Sequence, residues 1–310
     1  MHRKNMKNLN KGGAVVFIDG GLGNQFFHYA FCVILYRYLK KPVYLDCTQY
    51  RFTTSLNARN LELVYFSPIL PIITSKKELI QKLNISYCMF CLKKLGNKIL
   101  YKLCKKQPFF LYDKQKTLTK PHLRFESIAQ LAQNLGNHNY IYEEYMWNFK
   151  EIKSYKDEFL QILYPQLPLD SKSLAIAQQI QSHTNSCSIH IRRGDYLMHI
   201  PSDVLDMEYY LHAMEQIRQL VSNVKFFIFG NDFAYMRGQF SESRDCVIVD
   251  VNGEYEVRYD FLLMKMCKHH ILANSTLSMW VGFGSYGYTI YKANAKPSTA
   301  GLETLGFIAL

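Results

Sequence analysis

Two arginines stand beside an acid and a histidine in His190-Ile191-Arg192-Arg193-Gly194-Asp195-Tyr196, just after an apolar, β-type run over residues 187–191. A guanidinium is permanently charged and offers a planar fork of donors that takes phosphate oxygens two at a time. An arginine pair at a strand end therefore suits a diphosphate better than lysines would. Alone, such a stretch reads more readily as a surface salt bridge. Three similar junctions take it out of isolation. Residues 14–18 run as a strand into Asp19-Gly20-Gly21-Leu22-Gly23-Asn24-Gln25 and then into a helical pattern over 26–39. Glycines let a backbone turn tightly and approach a ligand, and the following helix offers free N–H groups to an anion. Phe26 occupies the third glycine of the dinucleotide fingerprint, which argues against NAD. A strand over 225–229 ends in Gly230-Asn231-Asp232, and one over 271–273 ends in Asn274-Ser275-Thr276, residues that cap helices or hold phosphate and sugar hydroxyls.

These residues need a scaffold that brings strand ends together. Ligands of open α/β sheets sit outside the carboxyl ends of the strands, so four polar ends point to one shared cleft. Helix 207–221, strand 225–229, strand 246–250 and helix 254–267 alternate as in a parallel sheet with helices on both faces. With 310 residues, 48% of them hydrophobic, the chain can bury two cores. The segment Tyr164-Pro165-Gln166-Leu167-Pro168 is the best linker. It divides the chain into domains 1–165 and 166–310.

The net charge of +12 is concentrated. Residues 76–120 hold twelve lysines against Glu78 and Asp113. Leu92, Leu95, Ile99 and Leu103 follow helical spacing there, with Lys93, Lys94, Lys98, Lys102, Lys105 and Lys106 on the remaining faces. The pattern predicts a basic amphipathic helix, inserted in the first domain, that either lies on an anionic membrane or packs its leucines inward. Nucleic acid is not expected, because the window has no arginine. Cys88 and Cys91 have only Cys104 nearby, too few for a four-ligand zinc site, and reduced core thiols are expected. No apolar run reaches the length of a membrane span, so a bacterial cytoplasmic location, peripheral on the inner membrane, is expected.

The run from Gly20 to Ala30, the 190–196 stretch, Phe226 to Asp232 and Asp260 to Trp280 resemble, in the same order, the motifs of the bacterial α-1,2-fucosyltransferases, of glycosyltransferase family 11 type. The likeness spans about residues 14–285. It implies a GT-B fold of two Rossmann-like domains facing a cleft, an acceptor-side first domain and a GDP-sugar-binding second one. The implied reaction is inverting, metal-independent transfer of L-fucose from GDP-fucose, with no cofactor, to the 2-OH of a β-galactoside in surface glycan or O-antigen synthesis. The acceptor would be an oligosaccharide, lipid-linked if assembled at the membrane. The family commonly has Ser-Asp-Asp where Gly230-Asn231-Asp232 stands and Phe-Ser-Trp-Trp where Leu277-Ser278-Met279-Trp280 stands, and the tail over 292–310 also departs.

No Asp is followed two positions later by another, so the metal-holding DxD signature is missing and the departing diphosphate must meet the chain's own cations. Arg192 is the expected β-phosphate ligand, with Arg193 beside it or holding Asp195. By resemblance, Asp260 binds guanine, and Gly21, Gly23, Asn24, Gln25, Asp232, Asn274, Ser275, Thr276 and Ser278 complete the donor site, with His190 at the nucleotide and expected, with Arg192 and Asp195, to be catalytic. Asp195 is the first candidate for the base, followed by Asp232 and His28. Two rivals stand beside this reading: transfer from another GDP-sugar, since nothing in these residues reads the C6 methyl of fucose, and a non-catalytic basic module that binds membrane or nucleic acid.

Overall fold

Strand β1, Gly13–Phe17, is buried at every position, as a parallel strand covered on both faces must be. It is central in a four-stranded parallel sheet with β2 (Val43–Asp46), β3 (Ile72–Ile73) and β4 (His138–Ile141), in the order β3-β2-β1-β4. The computed structural model describes residues 13–51, 59–83, 127–135, 138–141, 149–163, 168–253, 255–293 and 302–310. The lysine-rich helix expected around Lys93, Lys94, Lys98, Lys102, Lys105 and Lys106, the Cys88–Cys91 pair and residues 164–167 of the expected linker lie outside them.

The crossover from β1 to β2 is the helix Leu22–Leu39. It starts four residues earlier than the sequence pattern, so Gly23, Asn24 and Gln25 belong to its first turn and only residues 18–21 form the connection. Phe26 is buried and meets Phe66 edge to face at 4.9 Å. That ring occupies the place of the third glycine and contributes about 1.5–3 kcal/mol by burial. Lys40 ends the helix in the left-handed region, its N–H bonded to the carbonyl of Tyr36.

The chain forms two compact units, residues 1–147 and 148–310. The second holds a six-stranded, all-parallel sheet in the order β10-β9-β8-β5-β6-β7. Its strands are β5 (Ser186–Ile191), β6 (Lys225–Gly230), β7 (Cys246–Ile248), β8 (His269–Ile271), β9 (Thr289–Tyr291) and β10 (Ile308–Ala309). Helices Met207–Leu220, Phe233–Phe240, Val257–Met266 and Thr276–Gly282 make the crossovers. Ile189, Ile191, Phe226, Ile228, Tyr210, Met214 and Met236 share one core. Helices Phe149–Lys153 and Lys156–Leu163 pack with this unit, since Phe149 and Phe159 lie 5.9 and 6.3 Å from the ring of Trp280.

Strand β8 runs two residues earlier than the apolar pattern, through two buried histidines. One ring nitrogen of each is hydrogen-bonded: His270 Nδ1 sits 2.8 Å from Ser188 Oγ, and His269 Nδ1 accepts from the N–H of Tyr288 at 3.0 Å, while the buried His269 Nε2 has no partner among the described residues.

Candidate active site

Pairing of β5 with both β6 and β8 places the ends of these three strands side by side. Arg192, Asn231 and Asn274 therefore fall along one sheet edge. Close approach there requires glycine. A Cβ at Gly230 would lie 2.5 Å from the carbonyl oxygen of Ile191 and 2.8 Å from Met236 Sδ, and one at Gly194 would lie 2.1 Å from Asn231 Nδ2. Asn231 in turn accepts the N–H of Arg193 at 3.0 Å, tying the β5 and β6 loops together.

Each arginine is held by one acid and one ring. Arg192 Nη2 lies 2.5 Å from Asp195 Oδ1, and its guanidinium sits 5.0 Å from the centre of the Tyr196 ring. Arg193 Nε donates to Asp232 Oδ2 at 3.2 Å, over the Tyr235 ring at 3.7 Å. Asp232 also accepts the N–H of Tyr235 through its other oxygen, capping the helix Phe233–Phe240. A guanidinium has five donors, so these single contacts orient both forks and leave N–H groups for phosphate oxygens. The same contacts engage Asp195 and Asp232, the two carboxylates expected as bases, with cations. Tyr235 escaped the sequence reading, although its spacing from Asp232, one helical turn, was available as a signal, and Tyr196 and Asn231 stood in the motifs without a role of their own.

His190 is buried, and burial, reinforced by the nearby Arg192 charge, pushes its imidazole down to about 3. At neutral pH it is uncharged and adds no cation for a diphosphate. Its Nδ1 lies 2.5 Å from Ser278 Oγ, which accepts the N–H of Ala273 at 3.2 Å and sits 3.4 Å from Ser275 Oγ. Ser275 caps the helix Thr276–Gly282 by accepting the N–H of Ser278. The chain of groups joins the end of β5 to the end of β8, a positioning role. From below, buried Lys265 donates to the carbonyls of Val281 and Phe283 at 3.2 and 2.7 Å and fixes the other end of that helix.

Asn274 is different. It is 4% exposed, and among the described residues neither its amide nitrogen nor its amide oxygen has a partner. A buried polar group in that state costs about 1–3 kcal/mol unless a bound molecule satisfies it. Asp260, in the first turn of the helix Val257–Met266, accepts from Asn252 Nδ2 at 2.8 Å, and Asn252 Oδ1 accepts from Ser173 Oγ at 3.0 Å. Burial pushes the carboxyl up to about 7 against the opposing Asn252 bond, with Glu256 adding to the rise.

The glycine connection belongs to the first unit. Gln25 is 0% exposed; its Nε2 donates to the carbonyls of Gly20 and Asn60 at 3.0 and 2.8 Å, and its Oε1 accepts the N–H of Leu63 at 2.9 Å. Gly21 is the N-cap of the helix Leu22–Leu39, with open space where a Cβ would stand. His28 Nε2 lies 3.0 Å from Asp19 Oδ1. Among the described residues no three His, Cys, Asp or Glu side chains come together as a metal cluster, and no helix is long and apolar enough to cross a membrane.

Comparison with known proteins bears on this edge. An O-antigen biosynthesis glycosyltransferase, WbnK of Escherichia coli, is 29% identical over 278 residues, covering 85% of this chain and 87% of that one. An alpha-1,2-colitosyltransferase of Escherichia coli is 26% identical, with 86% and 85% covered. Galactoside alpha-(1,2)-fucosyltransferase 2 of Bos taurus is 33% identical over 111 residues, 34% of this chain and 32% of that one. In architecture the chain is similar to fucosyltransferase NodZ from Bradyrhizobium, with a TM-score of 0.51 at 13% identity, covering 87% of this chain and 93% of that one. That likeness shows the fold, two Rossmann-like units of GT-B type. The model of Glycosyl transferase family 11 matches residues 14–304. The chain belongs to glycosyl transferase family 11.

Proposed function

We propose that the protein transfers L-fucose from GDP-fucose to the 2-OH of a β-galactoside, inverting the anomeric centre without a metal, in O-antigen or surface-glycan synthesis. The carrying observation is the arginine pair, each member braced by an acid and a tyrosine at adjacent strand ends, beside the unpartnered amide of Asn274. In this reading the second unit binds the donor. Arg192 and Arg193 meet the diphosphate and take up the charge that develops on it as the bond to the sugar breaks. Removing one preorganised donor of that kind costs about 3–4 kcal/mol. Asp260 accepts from guanine, and Asn274, Ser275 and Thr276 bond to the diphosphate or sugar hydroxyls. Ser278 and neutral His190 hold that corner in place. The first unit takes the acceptor.

A second reading is transfer from another GDP-sugar, favoured by the colitosyltransferase that matches this chain over nearly the same length as WbnK. One experiment separates them: incubation with GDP-fucose, GDP-mannose and GDP-colitose and a β-galactoside in EDTA, with the product linkage read by NMR. The proposal expects an α-1,2-linked fucoside. A product from another sugar alone replaces the donor assignment, and a linkage at another hydroxyl replaces the regiochemistry.

A further inference from the structure

Asn252 stands in the connection from β7 to the helix Val257–Met266 and is 3% exposed. Its amide is engaged at both ends. Nδ2 donates to Asp260 Oδ1 at 2.8 Å, and Oδ1 accepts from the hydroxyl of Ser173 at 3.0 Å. Ser173 is 0% exposed, in the first turn of the helix Ser171–Gln181. The chemistry of these three groups fixes the direction of the chain. An ionised carboxylate can only accept, so the amide nitrogen must face Asp260, the amide oxygen must face Ser173, and the hydroxyl must donate.

The connection is anchored without this chain of bonds. Lys172 Nζ donates to the Val251 carbonyl at 3.2 Å and lies 3.8 Å from Glu256 Oε2, which itself accepts the N–H of Gly253 at 2.9 Å. What the buried amide adds is a set orientation for the carboxyl of Asp260, a residue that remains partly exposed. β7 lies two strands from β5 in the same sheet, about 10 Å away, so this carboxyl and the arginine pair belong to one edge of the second unit. A ribose bridges such a gap between a diphosphate and its base. Guanine carries two donors side by side, N1–H and the 2-amino group. A carboxylate held square to that edge accepts from both, whereas adenine presents a ring acceptor there. We propose that Asn252, held by Ser173, is a positioning residue that sets the Asp260 carboxyl square to this edge and so makes the donor site selective for guanine. The inference rests on the transferase reading above, in which Asp260 accepts from guanine, and adds what makes that contact discriminate between bases.

Titration of wild type with GDP, inosine diphosphate and ADP in EDTA comes first. Binding of none of them sinks the transferase reading and this inference with it. GDP is expected to bind at least about tenfold tighter than inosine diphosphate, which lacks the 2-amino group and so one hydrogen bond to the carboxylate. Equal affinity for these two leaves the transferase reading standing and overturns the inference alone. Asn252→Leu keeps the size of the side chain and removes both of its bonds. It is expected to weaken GDP at least about tenfold and inosine diphosphate by no more than about threefold, so that discrimination between them is largely lost. A ratio kept at the wild-type value, whether both affinities fall or neither does, is what packing alone would give and overturns the proposal. If Asn252→Leu does not fold, Ser173→Ala decides, because it leaves the Asn252 amide free to turn. A fall of at least about threefold in the ratio supports the chain of bonds, and a wild-type ratio overturns it.

Discussion

At the carboxyl edge of the first sheet, polar groups are matched within the chain: Gln25 serves three main-chain partners, and Asp46 accepts from Thr48 N–H and Tyr140 hydroxyl at 3.0 and 2.7 Å. At the corresponding edge of the second sheet, Asn274 has no partner among the described residues, and the guanidiniums of Arg192 and Arg193 pair with Asp195 and Asp232. Both edges carry strand-turn-helix junctions that look alike in sequence. What separates them is whether the polar atoms are used up in building the turn or keep hydrogen-bonding capacity beyond it.

The largest effect that sharpens this contrast is expected at Gln25. Gln25→Leu leaves two carbonyls and one N–H without their side-chain partner, so stability should drop by about 3 kcal/mol or more, measured by denaturant unfolding. GDP affinity of the folded fraction should stay near wild type. A stable variant that has lost GDP would make Gln25 a donor ligand and break the comparison. Asn274→Ala should act with the opposite sign. Removing a buried amide that lacks partners leaves stability unchanged or raises it by about 1 kcal/mol, while affinity for GDP-fucose falls about tenfold.

Asp260 adds a pH test. Its folded carboxyl is held up to about 7, above the ordinary value near 4. Between those two values the unfolded chain is ionised and the folded one protonated, so this group's contribution to stability declines as pH rises from about 4 to about 7 and is constant above. A carboxylate that accepts from guanine must be ionised in the complex. GDP affinity should then weaken as pH falls below about 7, by up to about tenfold per unit, and Asp260→Asn should flatten that slope. Calorimetry across pH 5–8 checks it. The smallest effect is expected from Tyr235→Leu, which removes the ring beneath Arg193 and should cost two- to fivefold in GDP affinity, about 0.5–1 kcal/mol.

The helices over 207–221 and 254–267 and the strand over 225–229 were legible in the second unit because apolar runs and capping residues alternate cleanly there, as from Asp206 through Gly230, whereas the order of the strands in the sheet was not. β8 was displaced because His269 and His270 look polar until their partners are known. The start of the helix Leu22–Leu39 was missed because glycines at 21 and 23 mimic a longer loop. Of the side chains gathered at the end of β5, Arg192, Arg193, Asp195 and Asp232 could be named as candidates from spacing and likeness to a family. Which acid faces which arginine depends on the register of β5 against β6, which a linear sequence does not display. The neutral state of His190 depends in the same way on burial in the folded chain.

The central claim is that the arginine pair at the end of β5 binds a guanosine diphosphate. Calorimetric titration of wild type and Arg192→Ala with GDP, in EDTA, tests it most directly. The account predicts binding by wild type without metal and a loss of at least about 100-fold in the variant, with melting temperature preserved. Equal binding by both proteins, or none by wild type, would contradict it.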